Sequence, residues 1–212
     1  MFDQTLLEKE LSDWHQIIQA HPYNCQAYIR RGMTYFKLAK IAEAIADFDT
    51  AEQLDPRLTP YLWQRGLAYY YAGRFSEGAK QFELDLTVNG QDVEETVWRY
   101  LCIAQQFGVT EAQTSLLPVR NDSRLVMRQI YELYAGNCSV EDAIAAGQKE
   151  GKRGNFYSHL YLGLFYEAAG ETAQSQAYIV KALEDYAIED YMCSLARVHQ
   201  TVRGWNEVTQ KL

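Results

Sequence analysis

The sequence predicts an all-α protein in which paired helices repeat along the chain. Three observations lead to this prediction. Gly32 and Gly66 lie 34 residues apart, and the same step joins Phe48 to Phe82. The chain has 212 residues, and 48% of them are hydrophobic, as in an ordinary folded protein. It contains 16 tyrosines and only 4 prolines, which is typical of a helical protein with many half-buried aromatic positions.

The 34-residue step defines two regular units, residues 25–58 and 59–92. Each unit carries a glycine at position 8, Gly32 or Gly66, where the first helix should cross the second. A side chain there would hold the two helices apart, whereas the large aromatic residue at position 24 would fill the space around the crossing. Each pair leaves an apolar face that the next pair covers.

Later segments continue the pattern less regularly. Residues 156–189 form a third good unit with Gly163 at position 8. The residues in between are expected to hold two irregular units. In the first, residues 93–120, the second helix has only about two turns before Pro118, and the second unit covers residues 121–155.

The two ends of the chain are predicted to close the stack. Residues 3–22 form an N-terminal cap helix, and residues 190–204 form a C-terminal cap helix. A single domain is therefore expected over residues 1–204, and residues 205–212 should be a frayed tail.

This spacing of small and aromatic positions resembles the tetratricopeptide repeat, a helix–turn–helix unit of 34 residues. The resemblance implies a right-handed α-solenoid with divergent middle repeats and capping helices. The order of the parts is also similar to that of the NlpI-type adaptor lipoproteins, over roughly residues 20 to 200. This chain lacks a lipoprotein signal, so the membrane anchor and periplasmic location of those proteins are not implied.

The resemblance also implies a partner-binding surface, because the first helix of each unit lines the concave face in this family. The positions concerned are mostly apolar and aromatic, which is typical of a groove for a helix or an extended peptide. We predict a non-enzymatic scaffold or adaptor that binds a partner protein there. Its contact residues are expected to be Met33, Phe36, Lys37, Trp63, Leu67, Tyr70, Tyr71, Val97 and Leu101. Ile29 and Met33 stand where chaperone-binding members have a lysine and an asparagine, so chaperone tails are not expected as partners.

An alternative interpretation stays open at this point. An aromatic stripe at helical spacing is more often core than binding site, and the chain's own helices or a second copy could cover it. The protein would then be a self-associating, homodimeric assembly factor, since a twofold interface needs only one self-complementary patch.

Composition narrows the classes of partner. The net charge of −8 without a basic stripe argues against nucleic acid and favours a neutral or basic protein partner. The chain has no long apolar run, so no transmembrane segment is expected. The first residues do not resemble a signal peptide, which predicts a cytoplasmic location.

No constellation of residues predicts catalysis, a metal site or a cofactor. The four histidines have no acid or cysteine at triad or metal-ligand spacing, and the four cysteines form no CxxC pair. Paired acids such as Glu94 and Glu95 precede or begin predicted helices, where they complement the helix dipole. Arg31 and Arg65 share position 7 and are expected to pair with acids of a neighbouring helix.

Overall fold

The structure, a computed structural model, describes residues 4–119 and 122–205. Over these residues it consists of twelve α-helices and one 3₁₀ segment, without a strand. The helices group into two compact units, Met1–Val88 and Asn89–Leu212, which are described separately below. The single domain over residues 1–204 stays a prediction.

Unit 1 begins with a cap helix and continues with two helical hairpins. Its elements are α1 Gln4–Ala20, α2 Cys25–Lys37, α3 Ile41–Leu54, a 3₁₀ segment Pro56–Tyr61, α4 Trp63–Tyr71 and α5 Phe75–Leu86. Helix α1 packs against α2 and buries Leu7 and Ile18. Asn24 begins α2 as its N-cap, because its side chain accepts a hydrogen bond from the Ala27 amide.

The second hairpin starts later than the 34-residue register predicts. The chain forms a 3₁₀ segment before α4, so the first helix of this hairpin begins at Trp63 rather than near residue 59. Asp55 caps the segment by accepting from the Arg57 amide at 3.1 Å. This 3₁₀ segment, which contains Pro56 and Pro60, occupies the residues before Trp63, so α4 has only nine residues.

Position 8 is a close helix crossing in three hairpins. A Cβ atom added to Gly32 would lie 3.0 Å from the Phe48 ring, and one added to Gly66 would lie 2.7 Å from the Phe82 ring. In unit 2, a Cβ atom on Gly163 would lie 2.6 Å from Ile179. In each case the neighbour is the residue sixteen positions further on, so the three glycines occupy equivalent places in their hairpins.

The arginines at position 7 join helices of unit 1. Arg31 on α2 donates two hydrogen bonds to Asp47 on α3, at 2.8 and 2.7 Å. Arg65 on α4 is buried, and it donates to Gln81 on α5 and to two acids of α3, Asp49 and Glu52. The expected pairing of Arg31 and Arg65 with a neighbouring helix is confirmed.

Unit 2 contains the irregular hairpins, the last regular hairpin and the C-terminal helix. Its elements are α6 Val93–Phe107, α7 Val109–Thr114, α8 Leu125–Tyr134, α9 Val140–Lys149, α10 Gly151–Ala168, α11 Thr172–Asp185 and α12 Tyr191–Val202. Ser139 and Asp142 form a reciprocal capping box at the start of α9. The six residues of α7 match the expected short second helix.

Helix α10 begins at Gly151, five residues before the unit boundary expected at residue 156. The reason lies in a glycine contact that the sequence pattern did not identify. A Cβ atom on Gly154 would lie 2.4 Å from the Gly147 carbonyl oxygen, so only glycine lets α9 and the start of α10 approach this closely. Gly151 has φ +68 and makes the tight turn between them.

The end of the C-terminal helix α12 makes a charged contact with α10 and an aromatic contact with Trp205, which follows α12. Arg203 donates a hydrogen bond to Glu167, and the His199 ring lies 5.1 Å from the Trp205 ring. Trp205, the first residue of the expected frayed tail, is only 9% exposed. The expectation is therefore wrong for this residue. The remainder of the expected tail, residues 206–212, lies outside the described residues.

Candidate protein-binding surface

Four of the predicted contact residues are packed inside unit 1. Phe36, Leu67, Tyr70 and Tyr71 are each at most 8% exposed. The Phe36 ring lies 5.8 Å from that of Tyr71, and the Tyr70 and Tyr71 rings meet edge to face at 5.4 Å. These side chains contribute packing energy, and a partner cannot contact them in this conformation.

Three other predicted residues keep accessible surface on the same hairpins. Met33 and Lys37 of α2 and Trp63 of α4 are all half-buried. The side-chain amide nitrogen of Gln64 lies 3.9 Å from the Met33 sulfur, so α4 adjoins α2 at this point. Ile29, one helical turn before Met33 on α2, is half-buried as well. We call Ile29, Met33, Lys37 and Trp63 the α2–α4 surface.

The last two predicted residues belong to the core of unit 2. Val97 and Leu101 on α6 have no exposed surface. Helix α6 packs against both α8 and α10, and the Tyr134 ring lies 5.0 Å from Tyr100 and 5.4 Å from Phe165. The three first helices of this unit thus close on one another, so that positions expected on an open concave face become interior.

Most of the nine predicted residues are therefore not accessible in this conformation. Seven lie in unit 1 and two in unit 2, and only three of the nine keep accessible area. The burial of the other six agrees with the interpretation that the chain covers part of this face itself. Whether any of the nine contacts a partner stays a prediction.

A charged cluster at the start of unit 2 was not among the predicted sites. Asp92 is the N-cap of α6, and Glu94 and Glu95 occupy its first turn. Arg124, directly before α8, donates to Glu94 on α6 and to Asp122. The sequence pattern indicated only that these acids begin a helix. Nothing in the sequence places residue 124 beside residue 94, so the contact between them was not predicted.

Burial shifts the proton affinity of two of these carboxyl groups. The pKa of Glu94 is raised, mainly because the side chain is desolvated. The pKa of Glu95 is raised to about 7, by desolvation and then by the negative charge of Asp92. Glu95 is 8% exposed, and no cation lies within ion-pair distance of it among the described residues.

The histidines and cysteines occupy structural environments. His159 is buried, and its Nδ1 donates to the Asn155 carbonyl oxygen at 2.8 Å. His199 is buried, and desolvation lowers its pKa to about 4. All four cysteines are free thiols, and Cys102 and Cys193 are buried.

No helix in residues 4–119 and 122–205 is long and apolar enough to cross a membrane. In the same ranges, no group of three or more histidine, cysteine or acidic side chains is arranged to hold a metal ion.

Comparison with known proteins identifies the type of repeat. Residues 25–58, the predicted first unit, match the family model described as the tetratricopeptide repeat. The chain contains a tetratricopeptide repeat. Repeats of this family generally mediate protein–protein interactions and generally serve as non-enzymatic interaction scaffolds.

A solved structure extends the fold assignment over most of the chain. The chain is similar to a tetratricopeptide repeat protein from Parabacteroides merdae, with a TM-score of 0.57 and 17% sequence identity. The alignment covers 92% of this chain and 78% of that one. The fold is therefore the all-α solenoid class of tetratricopeptide repeats. No curated protein matches the chain, and the resemblance to NlpI-type lipoproteins stays a prediction.

Proposed function

We propose that this protein is a non-enzymatic scaffold that binds a peptide or helix of a partner protein on the α2–α4 surface. The tetratricopeptide repeat at residues 25–58 supports protein binding in general. The observation that carries the finer proposal is the accessible area of Met33 and Trp63, which lie on neighbouring first helices of unit 1.

The chemistry of this surface favours an amphipathic partner segment. Trp63 offers a large rigid ring, Met33 offers a deformable apolar contact, Ile29 offers a stiffer one, and Lys37 adds one charge. Phe36 of α2 and Tyr71 of α4 are buried with their rings 5.8 Å apart, which holds the two helices together, so little entropy should be lost when a partner binds. The net charge of −8 favours a neutral or basic partner, and nucleic acid and membrane are not proposed as partners.

The decisive experiment compares capture of the partner by three variants. We expect Trp63→Ala to weaken capture at least tenfold, since aromatic anchors dominate such interfaces. Met33→Ala should also weaken capture, because it removes an adaptable apolar contact on the neighbouring helix. Tyr61→Ala is the matched control, because Tyr61 is 61% exposed on the adjacent 3₁₀ segment and is not part of the surface.

Thermal melts of the same variants separate loss of contact from loss of folding. Trp63→Ala should keep its helical circular dichroism and most of its melting temperature, because the side chain is only half-buried. Unchanged capture by folded Trp63→Ala and Met33→Ala would contradict the proposal. Tyr70→Ala is unsuitable for this purpose, because Tyr70 is 1% exposed and its loss would damage the core.

Self-association is the second candidate. Phe36, Leu67, Tyr70 and Tyr71 are buried within the single chain, so a second copy would have to contact the accessible side chains Met33, Lys37 and Trp63 instead. Light scattering over a concentration series should give the protomer mass throughout if the scaffold proposal is correct, and a mass that doubles would favour the homodimer.

The cytoplasmic location is likewise a proposal, which cell fractionation tests.

A further inference from the structure

A buried side-chain amide lies beside the α2–α4 surface. Gln64 follows Trp63 on α4 and is 8% exposed. Its Nε2 atom lies 3.9 Å from the sulfur of Met33, which is a residue of that surface on α2. The Gln64 amide is thus placed where α4 adjoins α2, the two helices to which the proposed function assigns partner binding.

Both ends of this amide are poorly paired. The Oε1 atom is buried and has no hydrogen-bond partner among the residues that the structure describes. The Nε2 atom donates to the Met33 thioether sulfur, which is a weak acceptor. A buried polar atom that lacks a partner has lost its contact with water without compensation, so packing alone does not favour a glutamine here.

Gln81 shows how a structural glutamine is bonded in the same hairpin. It lies on α5 and is 3% exposed, and its Oε1 accepts two hydrogen bonds from Arg65, at 2.9 and 2.7 Å. Its Nε2 donates to the Thr59 carbonyl oxygen at 2.8 Å and to Asp85 at 2.9 Å. Gln81 therefore uses its acceptor and its donors inside the chain, whereas Gln64 keeps its acceptor unused.

The group that Gln64 lacks is a hydrogen-bond donor. A carbonyl oxygen such as Oε1 accepts, so it suits an N–H group and does not suit a carboxylate. In an α-helix the backbone N–H groups are bonded within the helix, except in its first turn. An extended segment presents free N–H groups along its edges at regular spacing. An extended segment can therefore supply the donor whatever its side chains are.

We propose that the partner segment lies on the α2–α4 surface in an extended conformation and that one of its backbone N–H groups donates to Gln64 Oε1. The inference rests on the proposed function and narrows the partner from a peptide or helix to an extended segment. No strong hydrogen bond holds the Gln64 amide among the described residues, so the side chain can turn towards a segment that packs on Met33 and Trp63.

The test uses the full chain and two synthetic peptides that have the same side chains and differ in their backbone N–H groups. One is acetyl-Lys-Val-Ala-Val-Lys-dimethylamide, in which the valines favour an extended backbone and the lysines suit a chain with a net charge of −8. The other carries a methyl group on every backbone nitrogen and has no backbone N–H group. Titrations are followed in ¹H–¹⁵N spectra.

We expect the unmethylated peptide to shift the side-chain amide signals of Gln64 and the backbone signals of residues 29–37 and 63–67. Its dissociation constant should be on the order of 1 mM, because the peptide is short and flexible. The methylated peptide should bind about tenfold more weakly, since it cannot donate to Oε1.

Gln64→Met makes the interpretation specific, because methionine keeps the length of the side chain and removes the amide. In this variant the two peptides should bind with affinities within about twofold of each other. Its melting temperature should be equal to or higher than that of the unchanged protein, since a buried unpaired group is removed. Gln53→Met is the matched control, because Gln53 is exposed on α3, and it should keep the full difference between the peptides.

Equal binding of the two peptides to the unchanged protein would overturn the inference, since side-chain contacts alone would then explain binding. A difference that persists in Gln64→Met would also overturn it, because the methyl groups would then act through their bulk. So would the absence of any shift of the Gln64 side-chain signals. The Trp63→Ala capture experiment tests the proposed function separately. If that variant loses capture and the two peptides bind equally, the scaffold proposal stands and the extended conformation does not.

Discussion

Gly66 shows how the absence of one side chain sets the geometry of a hairpin. A Cβ atom there would approach the Phe82 ring to 2.7 Å, closer than carbon atoms normally pack. The sequence made this predictable, because glycine and phenylalanine recur at the same step in the first hairpin, with Gly32 and Phe48.

We therefore expect Gly66→Leu to lower the free energy of unfolding by roughly 1–3 kcal/mol or more, since the added carbons overpack the crossing. Ala145→Leu is the matched control, because Ala145 is exposed on α9, and we expect its effect to stay within about 0.5 kcal/mol. Urea denaturation measures both. Equal stabilities of the two variants would show that α4 and α5 do not cross at Gly66.

Glu95 gives a second prediction at this scale, on pH dependence. Its pKa in the folded protein, about 7, exceeds the ordinary value of 4.5, so between these values the folded state binds more protons than the unfolded state. Stability from this group is thus present below about pH 4.5 and is lost as pH rises towards 7.

We expect Glu95→Gln to be more stable than the unchanged protein at pH 8, by on the order of 1–2 kcal/mol after allowance for solvent screening. At pH 4 the two proteins should be equally stable. Thermal melts across this range, with Glu184→Gln as control, measure the difference. A Glu95→Gln variant that is less stable at pH 8 would mean that the carboxylate has a cationic partner in the folded protein.

The residue scale also shows where sequence reasoning ends. Gly32, Gly66 and Gly163 could be identified because each lies in a regular hairpin, where spacing along the chain reports spacing in space. Gly147 and Gly154 make an equally close contact, but they lie in irregular segments that have no repeated counterpart. The Glu94–Arg124 pair depends on how α6 and α8 pack, which no local pattern encodes.

At the scale of elements, Arg65 connects three helices of unit 1. It lies on α4, donates to Gln81 of α5 at 2.9 Å, and contacts Asp49 and Glu52 of α3 at 3.1 and 2.7 Å. The hydrogen bond with Arg65 holds the pKa of Glu52 at about 2. Arg65 is 5% exposed, so removing it leaves buried polar groups without a partner.

We expect Arg65→Ala to cost at least about 2 kcal/mol at pH 7, somewhat below a fully buried ion pair because the two acids are a third exposed. Arg57→Ala is the control, since the Arg57 side chain is 90% exposed and its pair with Asp55 should contribute little. Chemical denaturation compares them. A cost no larger for Arg65 than for Arg57 would contradict this account.

The stability that the Arg65–Glu52 pair contributes changes with pH in the opposite direction to the stability that Glu95 contributes. The folded pKa of Glu52 lies below its ordinary value of 4.5, so its contribution is present above that pH and is lost as pH falls towards 2. The stability difference between the unchanged protein and Arg65→Ala should therefore narrow between pH 5 and pH 2.5. A difference that stays constant over this interval would show that Glu52 does not depend on Arg65.

Helix existence was easier to predict than the side of a helix that faces solvent. The short α7 and the cap helix α1 followed from helix periodicity and the positions of proline. The burial of Val97 and Leu101 could not be predicted in this way, because it depends on α6 packing against both α8 and α10. A concave position is open only when successive first helices diverge, and the sequence does not state how strongly the irregular hairpins curve.

At the scale of the whole molecule, we propose that protein binding is confined to accessible side chains of unit 1. The predicted nine-residue stripe is reduced to a smaller surface around Met33, Lys37 and Trp63, because six of its members serve as packing. Because most of these side chains serve as packing, the chain exposes few of its many aromatic residues. Tyr23, Tyr61 and Phe107 are the most exposed large aromatic side chains among the described residues.

Site-specific photo-crosslinking in cells tests the central claim most directly. A benzoylphenylalanine in place of Trp63 should form an adduct with a second, different protein, whereas the same group in place of Gln148, which is exposed on α9, should not. Adducts of equal yield at both positions, or an adduct at position 63 with twice the protomer mass and no other protein, would contradict the claim.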